Sequence, residues 1–144
     1  MIIIVTGSVA SGKTAAARKI AKQKKLRYID VNKLIKDNKL YSYYNKKDRS
    51  YVVDVKKLNK FLVKLIKKED NLVLDSHLSH YLPGKYVDLC IVTKCSLKEM
   101  KRRLEKRKYP AEKIRNNMEC EILDVCLVEA LENRHKVKII RTSR

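Results

Sequence analysis

Apolar residues fall along this chain in short blocks whose period alternates between strand and helix. Met1–Thr6 (MIIIVT) is an unbroken, β-branched run, the pattern of a strand buried on both faces of a parallel sheet. Lys13–Lys24, rich in Ala and Lys, is predicted as a helix. Arg27–Ile29 is a short strand and Asp30–Asn38 a short helix with Leu34 and Ile35 as its apolar contacts. Lys39–Tyr51 is polar and tyrosine-rich without clear periodicity and is predicted as loop. Val55, Leu58, Phe61, Leu62, Leu65 and Ile66 then recur at helical spacing behind Asp54, a suitable N-cap.

Asn71–Asp75 and Val87–Thr93 are the third and fourth predicted strands. Ser96 with Glu99 forms a capping box for a helix running to about Arg107. Pro110 suits the first turn of one further helix, with Ile114, Met118, Ile122 and Val125 as its buried stripe. Lys136–Arg141 is the fifth strand. Strands that alternate with helices imply an α/β fold: a parallel sheet with helices on both faces. The 144 residues suit a single domain spanning 1–144, with no repeat, linker or low-complexity segment.

Composition sharpens this picture. No apolar run approaches the roughly 18 residues of a membrane span, and Met1–Val5 lacks the basic flank of a signal peptide. The expected compartment is therefore cytoplasmic, without a membrane partner. Cys90, Cys95, Cys120 and Cys126 form no C-x-x-C and read as reduced core thiols. The charge is the unusual datum: 35 Lys+Arg against 16 Asp+Glu give +19. That excess suits an anionic partner such as RNA or a nucleotide, or else a solvated, heat-tolerant lysine surface. Glu112, Glu119, Glu121, Asp124, Glu129 and Glu132 all fall in the predicted helix after Pro110, so the remaining surface is more basic still.

The motif that carries chemistry is Gly7-Ser8-Val9-Ala10-Ser11-Gly12-Lys13-Thr14, a G-x-x-x-x-G-K-[ST] phosphate-binding loop between an apolar strand and an Ala-rich helix. Its backbone N–H groups must turn inward around a phosphate, which Gly7 and Gly12 permit. The following helix adds its positive dipole end, beginning with Lys13, Thr14 and Ala15. Lys13 reaches the β- and γ-phosphates of a nucleoside triphosphate, and the Thr14 hydroxyl ligates Mg²⁺. Asp75 closes an apolar strand at the carboxyl end of the sheet, where it would hold Mg²⁺ through water. His77, two residues on, is expected on the same side to orient a phosphate, a water or the Mg²⁺ shell. Arg107 ends a helix where a closing segment would hinge, and could cover a transferring phosphoryl group. Arg102 and Arg103 read as a solvated basic face, and His80 and His135 as structural.

With these residues in place, the chain resembles the atypical adenylate kinases of the isoenzyme 6 (CINAP-like) type, within the P-loop nucleoside monophosphate kinases. The resemblance rests on Gly7–Thr14, on Asp75-x-His77, and on Arg107, Tyr109, Lys113, Asn117, Cys120 and Glu121, which follow the order of that family's lid signature; Leu40-Tyr41 matches a further position. It implies a five-stranded sheet in the order 2-3-1-4-5, a monophosphate-binding segment near residues 30–53 and a lid near 106–116. It implies the reaction ATP + AMP ⇌ 2 ADP with some ATPase activity. ATP and Mg²⁺ would be held by Gly7, Ala10, Ser11, Gly12, Lys13, Thr14, Ala15 and Arg107, with Asp75 at the metal. AMP as acceptor would be met by Asn32, Lys36, Tyr41 and His77. It also implies a link to small-ribosomal-subunit maturation, with a ribosomal protein and rRNA as partners.

Three residues depart from the family pattern. Ala10 stands where Gly is usual, Lys36 where Arg is usual, and Lys108 where the lid carries Gly. The chain also stops soon after the fifth strand, which predicts a sheet face that is thinly covered or covered by a partner. Two other readings fit the same residues: a nucleotide-gated ribosome assembly factor with little kinase activity, and a small-molecule kinase on the same scaffold.

Overall fold

In the computed structural model, which describes residues 1–142, five parallel strands form the central sheet: β1 (Ile2–Gly7), β2 (Arg27–Asp30), β5 (Leu72–Asp75), β6 (Leu89–Lys94) and β7 (Val137–Arg141), in the order β2-β5-β1-β6-β7. Numbered among themselves, these strands run 2-3-1-4-5, as expected. β1 lies at the centre and is buried throughout, with Ile3, Ile4 and Val5 at 0% exposure, which is why its sequence shows no alternation.

The two faces bury different helices. On one, Ala17, Ile20 and Ala21 of α1 (Lys13–Lys24) pack on Ile3, Val5, Val73 and Ile91. On the other, Val31 and Ile35 of α2 (Val31–Asp37), Leu58 and Leu62 of α3 (Val55–Lys68) and Ala130 of α6 (Val125–Glu132) pack on Ile4, Leu72, Leu74 and Val92. Asp30, Asp54 and Ser96 cap α2, α3 and α4 (Leu97–Lys106), each accepting from the backbone N–H three residues on. β7 is the thinly covered edge, where Ile139 is 46% exposed. All four cysteines are free thiols, Cys90 and Cys95 buried and the others half-buried. No described helix is long and apolar enough to cross a membrane.

Two expectations are corrected. The segment 39–51 is not loop: β3 (Tyr41–Asn45) and β4 (Ser50–Val53) form an antiparallel hairpin. Tyr51 packs against Tyr41 and Tyr44 at ring separations of 4.5 and 4.9 Å, and the Asn45 side chain accepts from the N–H groups of Lys47 and Asp48 to close the turn. The helix after Pro110 is also two helices. α5 (Ala111–Ile122) ends, Asp124 takes a left-handed φ of 51°, and α6 starts at Val125. The Lys94 ammonium on β6 draws in the carboxylates of Glu121 and Asp124, which turns the chain there. Ile122 is left 58% exposed rather than buried in a stripe.

Candidate nucleotide site

The register of the central strands gathers the polar residues at one end of the sheet. Val5 on β1 pairs with Asp75 on β5, and Asp75 in turn with Asp30 on β2. The loop 7–12 therefore leaves β1 beside the carboxylate that ends β5. Gly7 and Gly12 hold φ of 150° and 90°. A Cβ on Gly7 would lie 2.4 Å from the Thr93 hydroxyl, and one on Gly12 2.8 Å from the Thr142 side chain, so neither position admits a larger residue. The loop is fixed by Ser11 Oγ against Thr93 Oγ1 at 2.7 Å and by Arg103, which donates to Ala10 O at 3.0 Å and to Thr142 O at 3.2 Å. Both departures from Gly sit where Gly is favoured: Ala10 has φ 67° and Lys108 φ 58°. Each costs about 1–2 kcal/mol of backbone strain relative to a right-handed conformation.

Lys13 donates from Nζ to Ser8 O at 2.9 Å. Burial lowers its pKa to about 8, opposed by the Asp75 carboxylate. Asp75 Oδ2 accepts from Thr14 Oγ1 at 2.9 Å and from the Tyr28 hydroxyl at 2.6 Å. Burial and that hydrogen bond push the Tyr28 phenol up to about 12, so it remains a donor. His77 faces the same cleft; burial first, then the Lys13 charge, lower its pKa to about 4, so the ring is neutral at pH 7. No group of three or more His, Cys, Asp or Glu is arranged to hold a metal ion among the described residues. A hydroxyl and one carboxylate instead make a small hard-oxygen donor set. That set fits Mg²⁺, which keeps waters and takes its remaining ligands from phosphates.

These residues form one wall of a cleft of about 1220 Å³. Asn32, Lys33 and Lys36 of α2, Arg49 and Tyr51 of the hairpin, and Arg107, Tyr109 and Lys113 around the α4–α5 turn form the others. Eight Lys and Arg side chains line this cleft against two carboxylates, Asp30 and Asp75. Such an excess of cation in a concave site selects an anion carrying several charges.

Of the residues singled out from sequence, Ala10, Gly12, Lys13, Thr14, Ala15, Asn32, Lys36, Asp75, His77 and Arg107 line this single cleft. Gly7 and Ser11 lie behind its surface, shaping the loop. Tyr41 lies outside it, packed on Tyr51 and the core beside α2. Sequence reasoning passed over Tyr28, Arg49 and Tyr51, and its reading of Arg103 as a solvated face is corrected. Arg102 is a surface residue paired with Glu99, as expected, whereas its neighbour Arg103 turns inward onto the loop. His80 and His135 are buried away from the cleft: His80 Nδ1 lies 2.7 Å from Thr6 Oγ1, and His135 Nε2 lies 3.0 Å from His80 O.

The chain matches the AAA domain family over residues 3–124. It is 38% identical over 130 residues to a Methanocaldococcus jannaschii protein named "Putative adenylate kinase", covering 90% of this chain and 72% of that one. It is 34% identical to the adenylate kinase isoenzyme 6 homolog of Dictyostelium discoideum, covering 96% of this chain and 78% of the relative. Among solved structures, shikimate kinase from Acinetobacter baumannii superposes with a TM-score of 0.65 at 13% identity, over 99% of this chain and 84% of that one, which shows a shared fold. With a phosphate-binding loop, a strand-terminal aspartate and that kinship over nearly its whole length, the chain belongs to the adenylate kinase isoenzyme 6-like family of P-loop kinases.

Proposed function

We propose that the protein transfers the terminal phosphoryl group of ATP to AMP, forming two ADP, and hydrolyses some ATP when water takes the acceptor's place. The observation that carries this reading is the pair of cationic walls in one cleft: Lys13 with the loop on one side, Lys33 and Lys36 on the other. One polyphosphate needs only the first wall.

In this reading the backbone N–H groups of residues 8–13 and the α1 N-terminus hold the β-phosphate, and Lys13 bridges toward the γ-phosphate. Thr14 and Asp75 would hold Mg²⁺, which neutralises developing charge on the phosphate oxygens when bound. Neutral His77 offers a ring N–H to a phosphate or acceptor oxygen without adding charge. Arg107, exposed at the end of α4, swings over the γ-phosphate as residues 106–116 close as a lid, and closure excludes water. Lys36, with Asn32 beside it on α2, meets the AMP phosphate as a point charge where a guanidinium would make two parallel bonds. Lys36→Arg should therefore lower the KM for AMP by roughly three- to tenfold with little change in kcat. An unchanged KM in steady-state assays would remove Lys36 from the acceptor site.

A second reading has its own support. α3 exposes Lys56, Lys57, Lys60, Lys64, Lys67 and Lys68, and none of them joins an ion pair among the described residues. Each like-charge i,i+4 pair costs a helix about 0.2–0.5 kcal/mol. Heat-tolerant surfaces pair lysines with carboxylates in networks; this array is unpaired, which favours an external polyanion. The apolar face of α3 is committed to the core, so the helix offers charge alone. We propose rRNA, together with a small-subunit ribosomal protein, as this partner, linking nucleotide turnover to small-subunit maturation; the assembly-factor alternative keeps this contact and drops AMP. Affinity for a small-subunit rRNA fragment should fall with salt at a log–log slope of roughly −0.7 per contact. Lys56, Lys60, Lys64 and Lys67 changed together to Gln should flatten that slope. Equal, weak binding of wild type and variant, unmoved by ATP, contradicts this partner.

A further inference from the structure

The β3–β4 hairpin and the α4–α5 turn, far apart in sequence, meet over the cleft through one arginine. Arg49 Nη2 donates to Lys108 O at 3.0 Å and to Arg107 O at 3.4 Å. The same guanidinium lies 4.7 Å from the centre of the Tyr109 ring, and Lys113 Nζ lies 4.1 Å from that centre. Lys113 also donates to Asp48 O in the hairpin turn. Tyr109 packs in turn on the cluster that contains Ala10 of the phosphate loop.

The Arg49 contacts engage the strained point of the turn. Lys108 is held at a left-handed φ of 58° with no glycine to ease it. Its carbonyl and that of Arg107 are the two groups that Arg49 satisfies. Their direction fixes the turn from which the Arg107 side chain departs. Arg49 itself lines the cleft and has no carboxylate partner among the described residues.

We propose that Arg49 is a positioning residue for Arg107, tying the acceptor-side hairpin to the lid so that the two close on nucleotides as one unit. This rests on the two-nucleotide reading above. It requires a planar guanidinium, whose face stacks on Tyr109 while its in-plane N–H groups hold two carbonyls in a fixed fork; an ammonium can lie over the ring and donate, as Lys113 does, but has no such fork to fix the direction of the turn. It also predicts coupling: a ligand that orders the hairpin raises affinity at the phosphate loop, and the reverse.

Arg49→Ala and Arg49→Lys should both lower kcat roughly tenfold or more, through a misplaced Arg107, while the melting temperature stays within a degree or two of wild type. In an Arg107→Ala background, Arg49→Ala should add little, because the residue it positions is gone. Lys47→Ala is the control: its contact with Glu112 spans 3.7 Å between side chains 81% and 61% exposed and is worth little. Full rescue by Arg49→Lys, or additive losses in the double variant, overturns the proposal. Amide hydrogen exchange supplies a readout independent of turnover: Arg49→Ala should speed exchange across residues 107–113 in the nucleotide-free protein, and unchanged exchange there also overturns it. Wild-type protein that makes no AMP-dependent ADP, yet shows faster lid exchange in Arg49→Ala, would instead refute the acceptor reading and leave the Arg49 tie standing.

Discussion

Lys13→Ala should abolish ATP turnover, by 10²–10³-fold or more, while leaving the fold intact or slightly more stable. The two halves of this expectation have one cause. Burial holds the Lys13 ammonium at a pKa of about 8, so the folded protein keeps a charge it would be easier to lose. In exchange it gains a hydrogen bond to Ser8 O. The Asp75 carboxylate offsets only part of that burial penalty; a bound phosphate would offset the rest. Phosphate release and thermal melting of the variant check both halves. Turnover at the wild-type rate would place the chemistry elsewhere.

Asp75→Asn should have the next largest effect. Asn preserves the volume and one acceptor oxygen at the end of β5 but removes the charge shared by Thr14 and Tyr28. We expect turnover to fall about 10²-fold or more and the Mg²⁺ concentration for half-maximal activity to rise several-fold. A pH effect accompanies this loss. Asp75 is the strongest influence raising the Lys13 pKa. Without it the lysine titrates below about 8, so the residual activity should decline as pH rises at a lower pH than in wild type. An alkaline limb that does not move would show that Lys13 and Asp75 are not electrostatically coupled.

The central sheet and the phosphate loop were legible in the sequence because each is encoded locally. A strand buried on both faces reads as an unbroken apolar run, and β1 is such a strand. The loop's glycines, lysine and threonine are adjacent in sequence, and backbone geometry alone brings them to one phosphate. The hairpin was not legible: in β3 the exposed Ser42, Tyr43 and Tyr44 are consecutive and so fall on both faces, and no apolar alternation marks it. Its signal was the β-propensity of four tyrosines with a turn-forming Asn45 between them.

The break between α5 and α6 was hidden for another reason. Ile122 and Val125 keep helical spacing, and what stops the helix is Lys94 on a distant strand. Arg103 and Arg49 illustrate the same limit at the site. Their partners lie 93 and 59 residues away, and no local pattern separates an arginine that turns onto the phosphate loop from Arg102, which stays at the surface.

The central claim is that one cleft serves two nucleotides. ³¹P NMR of the protein with ATP and Mg²⁺, before and after addition of AMP, tests it most directly. The account predicts that AMP is consumed, that two ADP appear for each AMP lost, and that the rate saturates with AMP. Release of inorganic phosphate at a rate indifferent to AMP, with AMP left intact, would contradict it.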